Sequence, residues 1–131
     1  GEPLGLPDGI ETSGHAIECR INAEDPETFA PSPGTLRRFR PPAGPGVRVD
    51  SHGVEGGAMP PHYDSLLAKV VAYGKDRAEA TSRMARALRE FEVDGIRTTL
   101  PLMRRIVESP PFAEAELDTG FLDRLEPVGE G

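Results

Sequence analysis

Apolar and polar residues alternate along HAIECRIN, His15 to Asn22: Ile17, Cys19 and Ile21 form one row, and Glu18, Arg20 and Asn22 the other. Successive strand side chains point to opposite faces, so the pattern predicts a half-buried strand. EDPETFAPSPG (24–34) is crowded with turn residues and predicts a connection. LRRFR (36–40) predicts a short strand, PPAGPG (41–46) a turn, and VRVDS (47–51) a further strand with Val47 and Val49 opposite Arg48 and Asp50. HGVEGGAMPP then predicts a second long loop. SLLAKVVAY (65–73), almost wholly apolar and closed by Gly74, predicts the most buried strand, although its periodicity alone also admits a helix start.

The pattern then changes period. In KDRAEATSRMARALREFE (75–92), Ala80, Met84, Ala87, Leu88 and Phe91 recur at helical spacing, with Asp76 placed to cap and Glu79 to complete a capping box. Arg77, Arg83, Arg86 and Arg89 alternate with acids on the other side and predict a solvated face. VDGIRTT (93–99) bridges to a second amphipathic helix capped by Thr99, with Leu102, Met103, Ile106 and Val107 as its stripe, and SPP (109–111) ends it. Residues 112–125 predict one or two short helical turns around Phe112 and Phe121–Leu125. Strands first and helices later make an α+β order: an antiparallel β-sheet with C-terminal helices packed against it.

Composition narrows the function. A chain of 131 residues supports one hydrophobic core. Its net charge of −7 argues against a general nucleic-acid or anionic-membrane binder, both of which need a basic face. A single cysteine, Cys19, forms no internal disulfide, and a reducing, cytoplasmic setting fits it. No run approaches the ~18 apolar residues of a membrane span. Gly and Pro crowd both ends, so residues 1–13 are expected to be a lead-in, 14–125 the domain and 126–131 a disordered tail. The Gly at position 1 suggests an excised piece.

Candidate chemistry is sparse. No nucleophile–base signature, phosphate-cradling loop or paired-carboxylate pattern is visible, and His52 and His62 have no third ligand nearby, so no metal site is expected. Met59 and Met84 read as packing residues. Arg20 differs in kind. A permanently charged planar guanidinium in mid-strand holds a carboxylate, a phosphate or a developing oxyanion in fixed geometry, or else makes a cross-strand ion pair on an exposed face. Asp64 either orients an arginine or caps a turn, and Arg48 is either a surface charge beside Asp50 or a subunit contact.

Taken in order, GHAIECRINAEDPETFAPSPG, RFRPPAGPGVRVDS, PPHYDSLLAKVVAYGKDRAEA, EFEVDGIRTTLPLM and DTGFL strongly resemble the C-terminal domain of biotin carboxylase over residues 14–124. This is the ATP-dependent component of acetyl-CoA, propionyl-CoA and related biotin-dependent carboxylases, the first of which serves fatty acid biosynthesis. The resemblance implies an enzyme that makes carboxyphosphate from ATP and bicarbonate, using Mg or Mn, and then carboxylates biotin on a carrier protein. The nucleotide and metal groups belong to an ATP-grasp half. The family's QVEH signature around its bicarbonate-binding glutamate is not in this sequence, which implies that the chain alone binds no cofactor and is inactive.

Residue by residue, the resemblance makes Arg20 the arginine of ECRINAED, which reaches bicarbonate and the biotin carbonyl and stabilises the enolate-like ureido oxygen. Asp64, from the YDS segment, is expected to steady that arginine. Arg48 matches an arginine at the homodimer interface, and Thr119 in DTGFL falls near where the family closes over adenine. The implied partners are the ATP-grasp half, the biotin carrier and a carboxyltransferase. Ala43, Pro45, His62 and Gly53–Val54 depart from the family pattern, all in loops. A non-catalytic assembly or dimerisation module is the alternative.

Overall fold

The computed structural model describes residues 1, 5, 9, 11–62 and 64–125. The elements are β1 (His15–Asn22), β2 (Gly34–Thr35), β3 (Arg38–Arg40), β4 (Val47–Ser51), β5 (Ala58–Met59), β6 (Leu66–Gly74), α1 (Arg77–Glu90), β7 (Glu92–Asp94), α2 (Leu100–Glu108) and α3 (Pro110–Ala113), followed by a 3₁₀ turn at Leu122–Arg124. The main sheet is antiparallel in the order β1-β6-β4, and β2-β5 and β3-β7 form two short antiparallel ribbons. The expected tail 126–131 and part of the lead-in lie outside the described residues.

The alternation in β1 sets how this sheet is covered. Ile17, Cys19 and Ile21 stand opposite Ala72, Val70 and Ala68 of β6, and Val47 and Val49 of β4 join the same rows. All three β1 residues and their β6 partners are buried. Helix α1 covers this face with Ala80, Met84, Ala87 and Leu88, each fully removed from solvent. Burial of this kind contributes roughly 1.5–3 kcal/mol for each large aliphatic side chain. Phe91, just past α1, stacks edge-on against Phe39 with centroids 5.5 Å apart.

The start of α1 follows from its sequence. The Asp76 carboxylate accepts the Glu79 N–H at 2.9 Å, and the Glu79 carboxylate reaches back to the Lys75 N–H at 2.6 Å. The box therefore closes one residue before the cap position. Gly74 ends β6 where the strand runs against the helix: a Cβ there would stand 2.5 Å from the Ala80 nitrogen. Only glycine allows that approach.

Several expectations change. β5 lies inside the expected loop HGVEGGAMPP, and β7 starts at Glu92, the last residue of the expected helix, and runs into the expected bridge VDGIRTT. Each is two or three residues long and exists because a distant ribbon partner, β2 or β3, pairs with it. No periodicity can show in so short a run. SPP ends α2 and also starts α3, since the Ser109 hydroxyl accepts the Phe112 N–H and two prolines fill the first turn, where an N–H is dispensable.

The arginine face of α1 is only partly solvated. Arg83–Glu79 and Arg86–Glu90 pair four residues apart, as alternation predicts, with both arginines half-buried. Arg77, also half-buried, has no acid partner among the described residues: it donates to the Phe112 carbonyl at 2.7 Å and lies 4.9 Å over the Phe112 ring. It fastens α3 to the helix.

Candidate functional site: the open face of the sheet

With one face of the sheet under α1, the polar row of β1 lies on the other. The register places Arg20, Lys69 and Asp50 in one cross-strand row and Glu18, Val71 and Arg48 in the next. Glu18, Arg20, Arg48 and Asp50 are exposed and Lys69 is half-buried. This face is open in the chain.

Arg20 has a cation, Lys69, as its immediate cross-strand neighbour, and among the described residues it makes no ion pair or side-chain hydrogen bond. Like charges directly opposite are unfavourable in a sheet. The cross-strand ion pair expected of an ordinary surface arginine is therefore not formed. Lys69 was not singled out in the sequence, yet it is the one charged residue inside the apolar run SLLAKVVAY, and that interruption was its signal.

The remaining sequence candidates are dispersed. Asp64 is exposed and its carboxylate accepts the Leu66 N–H at 2.9 Å, which is the turn-capping role; among the described residues no hydrogen bond joins it to Arg20. Arg48 donates to Asp50 on its own strand at 2.9 Å, an exposed pair of the kind that contributes little to stability. Thr119 is exposed in a separate turn after α3, between Asp118, whose carboxylate takes both Gly120 N–H and Arg124, and Gly120.

Beyond Arg20, Asn22 of the polar row and Thr99, expected only as a helix cap, make contacts that the sequence did not foretell. Asn22 donates through its side-chain amide to Glu24 at 3.3 Å, and Glu24 accepts the Ser65 hydroxyl. Thr99 occupies the capping position of α2, but its hydroxyl makes no cap bond. It accepts the Asn22 backbone N–H at 3.0 Å and donates to the Arg20 carbonyl at 3.3 Å. Pro101 in the first turn of α2 has no N–H and so removes one of the two donors that a cap hydroxyl ordinarily accepts.

Two other groups are defined by their surroundings. Burial, and secondarily the charge of Glu18, pushes the Cys19 thiol up to about 12, so it packs as a small apolar residue. Met59 and Met84 are likewise buried in the core. Among the described residues no three of His, Cys, Asp or Glu come together as a metal cluster. No helix among them is long and apolar enough to cross a membrane.

Comparison with known proteins gives a consistent family. The model of the biotin carboxylase C-terminal domain matches residues 18–124. Biotin carboxylase 1 of Bacillus subtilis is 50% identical over 121 residues, covering 92% of this chain and 27% of the relative. Among solved structures, a Campylobacter jejuni biotin carboxylase complex aligns with a TM-score of 0.89 at 41% identity, covering 95% of this chain and 28% of that one. The biotin carboxylase domain dimer of Hydrogenobacter thermophilus 2-oxoglutarate carboxylase, solved with MgADP, ADP and bicarbonate, aligns at 0.90 and 40% identity, covering 94% and 28%. The chain thus spans a little over a quarter of the length of these relatives.

Proposed function

Because the chain belongs to the biotin carboxylase C-terminal domain family, we propose that it completes the active site of an ATP-dependent biotin carboxylase, with Arg20 as its catalytic residue. Support comes from one observation above the others: Arg20 is an exposed, mid-strand guanidinium with a cation beside it and no acid partner among the described residues. Such a group is held ready for an anion.

The chemistry follows from where charge develops. Carboxyphosphate, made from ATP and bicarbonate, breaks down to CO2 and phosphate. As the ureido N–H of biotin gives its proton to that released phosphate, negative charge moves to the ureido oxygen, and the nitrogen then forms its bond to the CO2 carbon. A fixed guanidinium stabilises that oxygen without reorganising, most strongly once a covering half excludes water. Arg20 would also meet the bicarbonate anion, and Asp64 would steady the guanidinium once the site is assembled. ATP, with Mg or Mn, supplies the activation of bicarbonate in the ATP-grasp half. The described residues here form no metal cluster, and no step is assigned to the metal in this chain.

Biotin arrives on a carrier protein or domain, and the final acceptor is chosen by a carboxyltransferase. Acetyl-CoA is one such acceptor; the Hydrogenobacter neighbour belongs to a 2-oxoglutarate carboxylase. Thr119 is assigned to the adenine side of the nucleotide. Alone, the chain is inactive. The test mixes it with the separate ATP-grasp half: bicarbonate-dependent biotin carboxylation should return, and Arg20→Ala should lower kcat about a hundred- to a thousand-fold. Carboxylation at an unchanged rate with Arg20→Ala would refute the role.

A structural role runs alongside. Arg48 lies exposed on β4, at the edge of the sheet, and the Hydrogenobacter neighbour is a dimer. Arg48 is proposed to lie at the homodimer interface of the complete enzyme.

A further inference from the structure

We infer that Thr99 is a positioning residue for Arg20, fixing the backbone from which the guanidinium projects. This rests on the catalytic role of Arg20 proposed above. β1 is an edge strand with β6 on one side only, so the backbone groups of Arg20 and Asn22 that point away from β6 have no strand partner. Thr99 takes that place. Its hydroxyl accepts the Asn22 N–H at 3.0 Å and donates to the Arg20 carbonyl at 3.3 Å, and its own N–H donates to the Asn22 carbonyl at 3.0 Å.

The need for such a clamp is local. Arg20 pairs with Lys69 and Ile21 with Ala68, but Asn22 pairs with Leu66, so Leu67 of β6 is passed over and the register shifts between Ile21 and Asn22, one residue beyond Arg20. A bulge bends a strand and re-aims the side chains beside it. The Arg20 carbonyl and the Asn22 N–H belong to the two peptide planes that flank Ile21. One hydroxyl holding both fixes the backbone dihedrals on the ladder's unsupported side. Thr99 is 4% exposed and is carried at the start of α2, so the clamp is anchored in the core. Its hydroxyl serves the strand and makes no bond to the helix it begins.

The effect on catalysis should run through Arg20 alone. Misplacing a reacting group by about 1 Å costs up to about a hundred-fold in rate. The experiment uses the full-length protein that contains this chain and measures ATP-dependent carboxylation of free biotin, with kcat and KM taken separately. Thr99→Val, which keeps the shape and removes the hydroxyl, should lower kcat about ten- to a hundred-fold. Thr99→Ser, which keeps the hydroxyl, should stay within about two-fold of the unmodified enzyme, and Thr99→Val added to Arg20→Ala should cost less than about two-fold more.

A Thr99→Val enzyme at full rate while Arg20→Ala is slow overturns this inference alone. So does a Thr99→Val penalty that persists undiminished on the Arg20→Ala background, because it would mark a structural role. Arg20→Ala at full rate overturns the catalytic role and this inference together. If Thr99→Val does not fold, Thr99→Ala removes the same hydroxyl without a branched side chain and is judged by the same outcomes.

Discussion

Arg20 and Cys19 are adjacent, and the strand turns them into opposites. Cys19 points into the core, where burial pushes its thiol up to about 12. It should resist thiol reagents at pH 8 in the folded chain and react on unfolding in urea, which a timed labelling assay reads directly. Asp25 supplies a pH dependence. The Thr28 N–H, then the Glu27 N–H, and more weakly Arg97 hold its carboxyl down at about 2, against an ordinary 3.8. A depressed folded-state value means that stability is present above the ordinary value and is lost as pH falls through about 2. The Gly95 N–H, ahead of Arg37, lowers Asp94 in the same direction. Asp25→Asn should therefore flatten the acid limb between about pH 4 and pH 2 in urea-unfolding curves taken across that range.

Elements are held at their junctions. Asp76 caps α1 through the Glu79 N–H, and Asp76→Ala should cost about 1 kcal/mol in thermal or urea unfolding. Leu88, fully buried in the same helix, faces the sheet, and Leu88→Ala should cost about 2–5 kcal/mol by leaving a cavity. Gly95 is a stricter case. It follows β7 with φ of +103°, and a Cβ there would collide with the Thr35 carbonyl and approach the Arg37 nitrogen to 2.8 Å. Gly95→Ala should cost roughly 2–3 kcal/mol, the strain falling on the β3-β7 ribbon. The sequence showed VDGIRTT only as a bridge; the backbone that crosses it at Gly95 comes from Thr35 and Arg37, far earlier in the chain, and left no local trace.

At the scale of the whole molecule, the open sheet face is the consequential feature. One side of the sheet is finished by α1, while the other presents Arg20, Lys69, Arg48, Glu18 and Asp50. For the complete enzyme, Arg48→Glu should shift a homodimer towards monomer in sedimentation velocity and leave kcat per active site much less affected than Arg20→Ala does. On the proposed function, an ATP-grasp half that covers the Arg20 side should slow amide exchange along β1 in hydrogen-exchange measurements on the mixed halves.

The sequence by itself determined what is local or periodic. Alternation in His15–Asn22 assigned the inward row, helical spacing and Asp76 located α1, and ECRINAED with YDSLLAKV carried the family. Tertiary structure decided what depends on residues far apart in the chain. It placed Lys69 beside Arg20, gave the Asp64 carboxylate to a turn, created β5 and β7 by pairing, and turned Thr99 from a helix cap into a clamp on β1. The physical reason is that periodicity reports which face of an element meets the core. Which neighbour a polar atom finds is set only when the chain closes on itself, and here the hydroxyl that holds the Arg20 carbonyl lies 79 residues away.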